Sequence, residues 1–114
     1  MDGVQFHDFV RSQGWTLLCR DPAITRKFLA GTNPHVRKVC GECPARGLCL
    51  RLGLDRKETL HVYGGIGPRQ RRNMRVILKS IKSSRERDDR IEEWLNLSHA
   101  DLNDQIREQY AKSN

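Results

Sequence analysis

The chain has 114 residues, of which 37% are hydrophobic, 31% charged and 6% aromatic, and its formal net charge is +7. That length fits one domain with a tail, and so small an apolar fraction argues for a staple, a metal or disulfides, in place of a large core. No run of about eighteen apolar residues is present to span a membrane, and the excess of Lys and Arg suits either polyanionic partners or a solvated basic surface.

Residues 4–12 predict a short helix carrying Val4, Phe6, Phe9 and Val10, ended by Gly14. Asp21-Pro22 signals a second helix, with Asp21 as N-cap and Pro22 in the first turn, running to about Ala30. Asn33-Pro34 repeats the signal before HVRKVC. Pro44 opens a further helix in which Leu48, Leu50, Leu52 and Leu54 are available for packing. The one strand-like stretch is LHVY at 60–63, and Gly64-Gly65 marks a turn, because glycine tolerates positive φ.

After Gly67-Pro68, Met74, Ile77, Leu78 and Ile81 recur at spacings of three and four, the signature of an amphipathic helix. Arg72, Arg75, Lys79 and Lys82 fall on another face of it. The mixed-charge run RERDDRIEE reads as an exposed continuation of that helix or as a linker. Ser98 and Asp101 have the form of a capping box before a helix bearing Leu102, Ile106 and Tyr110. The expected organisation is a main domain over 1–83 and a charged helical extension over 84–114, in which 91–111 forms a hairpin around Trp94 and Leu95.

The cysteines are Cys19, Cys40, Cys43 and Cys49. Two intervening residues let Cys40 and Cys43 face one point at a turn, Cys49 follows on the next helix, and Cys19 closes a long loop. The first eighteen residues carry Asp2, Asp8 and Arg11 and no apolar run of signal-peptide length. The expected compartment is therefore the cytoplasm, where four cysteines are metal ligands or redox groups before they are disulfides. A four-thiolate zinc site usually uses two close pairs, and only one is present. An iron–sulfur cluster accepts more varied spacing, so the spacing favours a cluster over zinc without excluding it. Arg20, Arg37, Lys38 and Arg46 lie near the ligands in sequence as countercharges to an anionic centre.

These residues carry a resemblance. Cys19-Arg20-Asp21-Pro22, the run from Val39 to Leu50 with its three cysteines, Val62-Tyr63-Gly64-Gly65-Ile66 and Gln70-Arg71-Arg72 together resemble the WhiB-like proteins of actinobacteria and their phages. The family pattern is roughly C…C-x-x-C-P-V-x-x-x-C-L, then G-V-W-G-G, then E-R-R, and the resemblance covers about residues 15–82. It implies an all-α fold of short helices around a [4Fe–4S] cluster held by the four cysteines. It also implies a transcriptional regulator that docks on region four of the primary sigma factor of RNA polymerase, with a cluster responsive to nitric oxide and oxygen. On that reading Trp15, Phe28, Tyr63, Gly64, Gly65 and Ile66 meet the sigma factor. Arg69, Arg71, Arg72, Arg75, Lys79 and Lys82 face DNA. The chain departs from the pattern: Tyr63 stands where the family has Trp, His61 where it has Gly, and Gln70 where it has an acidic residue, and the aromatic pair expected soon after Asp21-Pro22 is absent, with Phe28 further along.

No Ser-His-acid set or phosphate-binding glycine loop is present, so a non-enzyme without a small-molecule substrate is expected. Two other readings stay open at this level: a zinc-stapled nucleic-acid-binding module, and a disulfide reductase acting through Cys40 and Cys43 in a metal-free form.

Overall fold

The computed structural model describes residues 3–15, 17, 19, 34–56 and 62–113. Six helices lie within them: α1 (Gly3–Ser12), α2 (Pro34–Gly41), α3 (Arg46–Asp55), α4 (Pro68–Ser80), α5 (Ser84–Leu95) and α6 (His99–Ser113). Among the described residues the only pairing outside helices is a single antiparallel bridge between Tyr63 and Ile66, so the fold is all-α, as expected. The helix expected over 21–30, with Phe28 in it, lies outside the described residues, as do Leu60 and His61. No helix among the described residues is long and apolar enough to cross a membrane. The chain forms two compact units, Met1–Pro68 and Arg69–Asn114.

In the first unit, α1 stops because Gly14 turns left-handed, with φ of 69°. The Gly14 N–H then bonds the Arg11 carbonyl at 3.1 Å, and the Trp15 N–H bonds the Val10 carbonyl at 3.2 Å. This paired pattern is a Schellman cap, which satisfies carbonyls the helix end leaves open. The same cap swings Trp15 back over α1, where its ring meets Phe9 edge-on at 5.7 Å between centroids. Phe6 and Val10 on α1 bury against Ala45 and Leu52, with Trp15, Leu17, Leu48 and Tyr63 packed around them. Burying side chains of that size contributes about 1.5–3 kcal/mol each.

The leucines of α3 at positions 50, 52 and 54 are all buried. At 100° per residue Leu52 points away from Leu50 and Leu54, so α3 is enclosed on opposite sides. It is the central element of its unit.

In the second unit, α4 carries buried Met74 and Ile77. The stripe was expected to extend to Ile81, but the helix ends at Ser80. There the Ser80 hydroxyl donates to the Ile77 carbonyl at 2.6 Å, and the Ile81 N–H reaches only three residues back, to Leu78. The charged segment is accordingly a separate helix and not a continuation. Ser83 caps it by accepting the Glu86 N–H, and Arg87 donates back to the Ile81 carbonyl at 2.6 Å. The α5–α6 hairpin expected around Trp94 is present. Trp94 is wholly buried, and its indole N–H donates to the Gln109 side-chain oxygen at 3.1 Å. Ser98 accepts the Asp101 N–H at 3.2 Å, the serine half of the expected capping box. Leu102 and Ile106 are buried on α6, whereas Tyr110 is only half-buried. Gln70 bonds Asn103, which ties α4 to α6.

Candidate metal centre

The cysteines come from four places in the first unit. Cys40 sits in the last turn of α2, Cys43 in the connection that follows, and Cys49 in the first turn of α3. The connection is set by three hydrogen bonds: the Cys43 N–H to the Cys40 carbonyl at 3.1 Å, the Arg46 N–H to the Cys43 carbonyl at 3.2 Å, and the Cys49 N–H to the Ala45 carbonyl at 2.8 Å. They fold the segment from Cys40 to Cys49 into a tight corner. Cys19 approaches from the chain beyond α1. All four are free thiols, Cys40 buried and the others half-buried.

The four thiols border one cavity of about 150 Å³. The rest of its wall is largely apolar, from Phe6, Leu17, Val39, Ala45 and Val62, with His7 and Arg46 as the ionisable members. Among the described residues, no three His, Cys, Asp or Glu side chains converge on a point that one metal ion could occupy. The sulfurs surround a volume; they do not meet at a point.

Burial pushes the Cys40 thiol up from an ordinary 9.0 to about 12, and the neighbouring Cys49, Cys19 and Cys43 push it the same way. A hydrogen bond from the Gly65 backbone opposes the shift. Gathering four thiolates in this apolar space is therefore unfavourable unless a cationic centre is shared among them.

The turn at 64–65 forms one wall. Gly64 and Gly65 have φ of 60° and 81°, and Tyr63 and Ile66 exchange backbone bonds at 3.1 and 3.0 Å. Two successive positive φ values are the signature of a tight type I′ connection. The turn is wedged between α2 and α3: a Cβ added at Gly64 would lie 2.9 Å from the Arg46 carbonyl oxygen, and one at Gly65 would lie 3.1 Å from the Cys40 Cβ. The Gly64 N–H donates to Cys49 Sγ at 3.2 Å, and the Arg46 Nε donates to the Gly64 carbonyl at 3.1 Å.

Of the residues expected at a sigma surface, Tyr63 and Trp15 are half-buried, and Gly64 and Gly65 are buried. Ile66 is 2% exposed; it supports the turn from inside and offers a partner no surface in this conformation. Phe28 lies outside the described residues. Phe9, expected only as one of the apolar residues of α1, keeps 37% of its surface exposed beside Trp15.

Of the residues expected to face DNA, Arg69, Arg72, Lys79 and Lys82 are exposed and Arg75 is half-buried. Arg71 is wholly buried, which removes it from any phosphate-facing set. Its position explains this: Arg71 lies three residues before buried Met74, on the same helix face, whereas Arg69, Arg72 and Lys79 point away from that face and half-buried Arg75, four residues after Arg71, lies at its border. The cavity's apolar wall and His7 were not singled out from sequence, because contacts between α1 and the cysteine corner leave no local signal. Of the four expected countercharges, Arg46 lines the cavity, Arg37 is half-buried, Lys38 is exposed, and Arg20 lies outside the described residues.

Fold and cavity together define a small helical protein built around a four-thiol site. The chain belongs to the WhiB family of transcription factors: the family model Transcription factor WhiB matches residues 16–74. The chain is also similar to the protein named Transcriptional regulator WhiB2 of Bifidobacterium longum, at 31% identity over 52 residues, which cover 46% of this chain and 52% of that relative. The match thus spans about half the length of the curated relative. No solved structure matches the chain.

Proposed function

We propose that this protein is a cytoplasmic transcriptional regulator that holds a [4Fe–4S] cluster through Cys19, Cys40, Cys43 and Cys49. In this reading it docks on region four of the primary sigma factor of RNA polymerase. The observation that carries the reading is the single cavity bordered by all four thiols. Zinc held at about 2.3 Å from each sulfur would draw the four together and leave no such volume. A polynuclear core, whose metals each take one thiolate, suits sulfurs spread around a space. The donor set, the apolar wall and the backbone N–H groups aimed at sulfur all favour the same occupant. When bound, the cluster supplies a redox-active centre sensitive to nitric oxide and oxygen.

The protein's own residues then have distinct tasks. The three cysteines of the corner fix α2 to α3, and Cys19 draws in the chain beyond α1. Val39, Leu17 and Val62 keep water from the site. Tyr63, with Trp15 and exposed Phe9, forms the aromatic surface offered to the sigma factor, and the buried Gly64, Gly65 and Ile66 hold Tyr63 in place. The exposed Arg69, Arg72, Lys79 and Lys82, with Arg75, supply phosphate contacts to promoter DNA without base reading.

The test is anaerobic co-expression with the C-terminal region of the primary sigma factor. The expected result is a brown complex that co-purifies through the sigma segment. A cluster-loaded protein that fails to co-purify overturns the partner reading and leaves the cofactor reading standing.

A further inference from the structure

The Gly64–Gly65 turn does more than shape a surface. The Gly64 amide donates to Cys49 Sγ at 3.2 Å, and Gly65 lies against Cys40, where an added Cβ would come 3.1 Å from the Cys40 Cβ and 4.0 Å from its sulfur. Both φ values are positive, and this left-handed turn lays two consecutive amides along the two cysteines, in the manner of a backbone nest. The approach is close enough that no side chain fits, and a Cβ at either glycine would fall within 3.1 Å of a neighbour. Arg46 holds the carbonyl of Gly64 from the other side, and its side chain also lines the thiol cavity. Turn, arginine and two of the four sulfurs thus form one connected set.

We propose that the Gly64 and Gly65 amides, with Arg46 as their positioning residue, act as a donor clamp on Cys49 and Cys40 that raises the reduction potential of the bound cluster. The inference rests on the cofactor reading above. A [4Fe–4S] core with four thiolates is a dianion, and accepting one electron makes it a trianion. Donors and a cation beside the sulfurs stabilise the more negative state more, so they favour reduction. The apolar wall strengthens the effect by limiting screening. A consequence is reciprocal: a partner that grips the turn shifts the potential, and reduction shifts that partner's affinity by the same factor.

The test uses the full chain loaded anaerobically, with iron and sulfide assayed first. Dithionite supplies the single electron, and viologen dyes report the equilibrium. Arg46→Gln should make reduction about tenfold less favourable, about 59 mV for one electron, and Arg46→Lys should restore the wild-type value to within about threefold. Independently, moving the wild-type protein into deuterium oxide should shift its iron–sulfur Raman bands through the N–H···S bonds, and that measurement decides the matter if Arg46→Gln fails to load. Bands that do not move, or an Arg46→Gln protein that titrates as wild type, overturn the clamp alone. Wild-type protein without iron and sulfide overturns the clamp together with the cofactor reading.

Discussion

Gly53 is the seat of Tyr63: a Cβ placed on Gly53 would lie 2.6 Å from Cγ of the tyrosine ring. The absence of a side chain on α3 is what lets Tyr63 lie flat against the helix beside the thiol cavity. Gly→Ala inside a helix ordinarily stabilises by up to about 1 kcal/mol. Here overpacking, at about 1–3 kcal/mol, outweighs that gain. Gly53→Ala should therefore lower stability by about 1–2 kcal/mol in urea denaturation and alter tyrosine fluorescence. A more stable variant would mean the ring does not rest there.

Two glycines make a contrast. Gly14 has φ of 69° with nothing within 4 Å of an added Cβ, and Gly41 ends α2 without positive φ and with equally open surroundings. Gly14→Ala should cost about 1–2 kcal/mol, the left-handed penalty alone. Gly41→Ala should be neutral or stabilising by a few tenths of a kcal/mol. Denaturation midpoints of the two variants check the pair.

Helix starts and stops were legible because they are local. Pro34 opens α2, Gly14 closes α1, and Ser98 caps α6, each through a backbone constraint readable within four residues. The Gly64-Gly65 turn and the corner from Cys40 to Cys49 were legible for the same reason. The start of α5 was equally local: Ser83 and Glu86 have capping-box spacing, but the dense charge after them drew the reading toward a continuation or linker. What stayed hidden depends on distance in the chain. The ring of Tyr63 on Gly53, the wall that Phe6 and Leu17 give the cavity, and the amides aimed at Cys40 and Cys49 all join residues ten or more positions apart. Arg71 is a different lesson. A run of arginines was read as one basic surface, although helical periodicity already set Arg71 with Met74 and Leu78.

Arg71 therefore separates two kinds of charge. Arg72→Ala and Lys79→Ala should each weaken DNA binding and lower the salt slope by about one. Arg71→Ala should instead destabilise the fold, since a wholly buried side chain is removed. Filter binding across a salt series, paired with thermal denaturation, reads both effects. An Arg71→Ala protein with wild-type stability and a reduced slope would reverse the assignment.

The metal-free protein should lose stability in alkali. Cys40 has a folded-state pKa raised from 9.0 to about 12, so the folded state holds this proton more tightly than the unfolded one. Its contribution is fully present below pH 9.0 and is lost as pH rises towards 12. Urea midpoints of chelator-treated, reduced protein should fall across that window, and Cys40→Ala should flatten the dependence.

The central claim is that four sulfurs share one polynuclear core, and iron and acid-labile sulfide measured on oxygen-free protein test it most directly. About four of each per chain, falling together in Cys43→Ser with loss of helical circular dichroism, is the result predicted. A folded protein carrying one zinc per chain and no sulfide would contradict it.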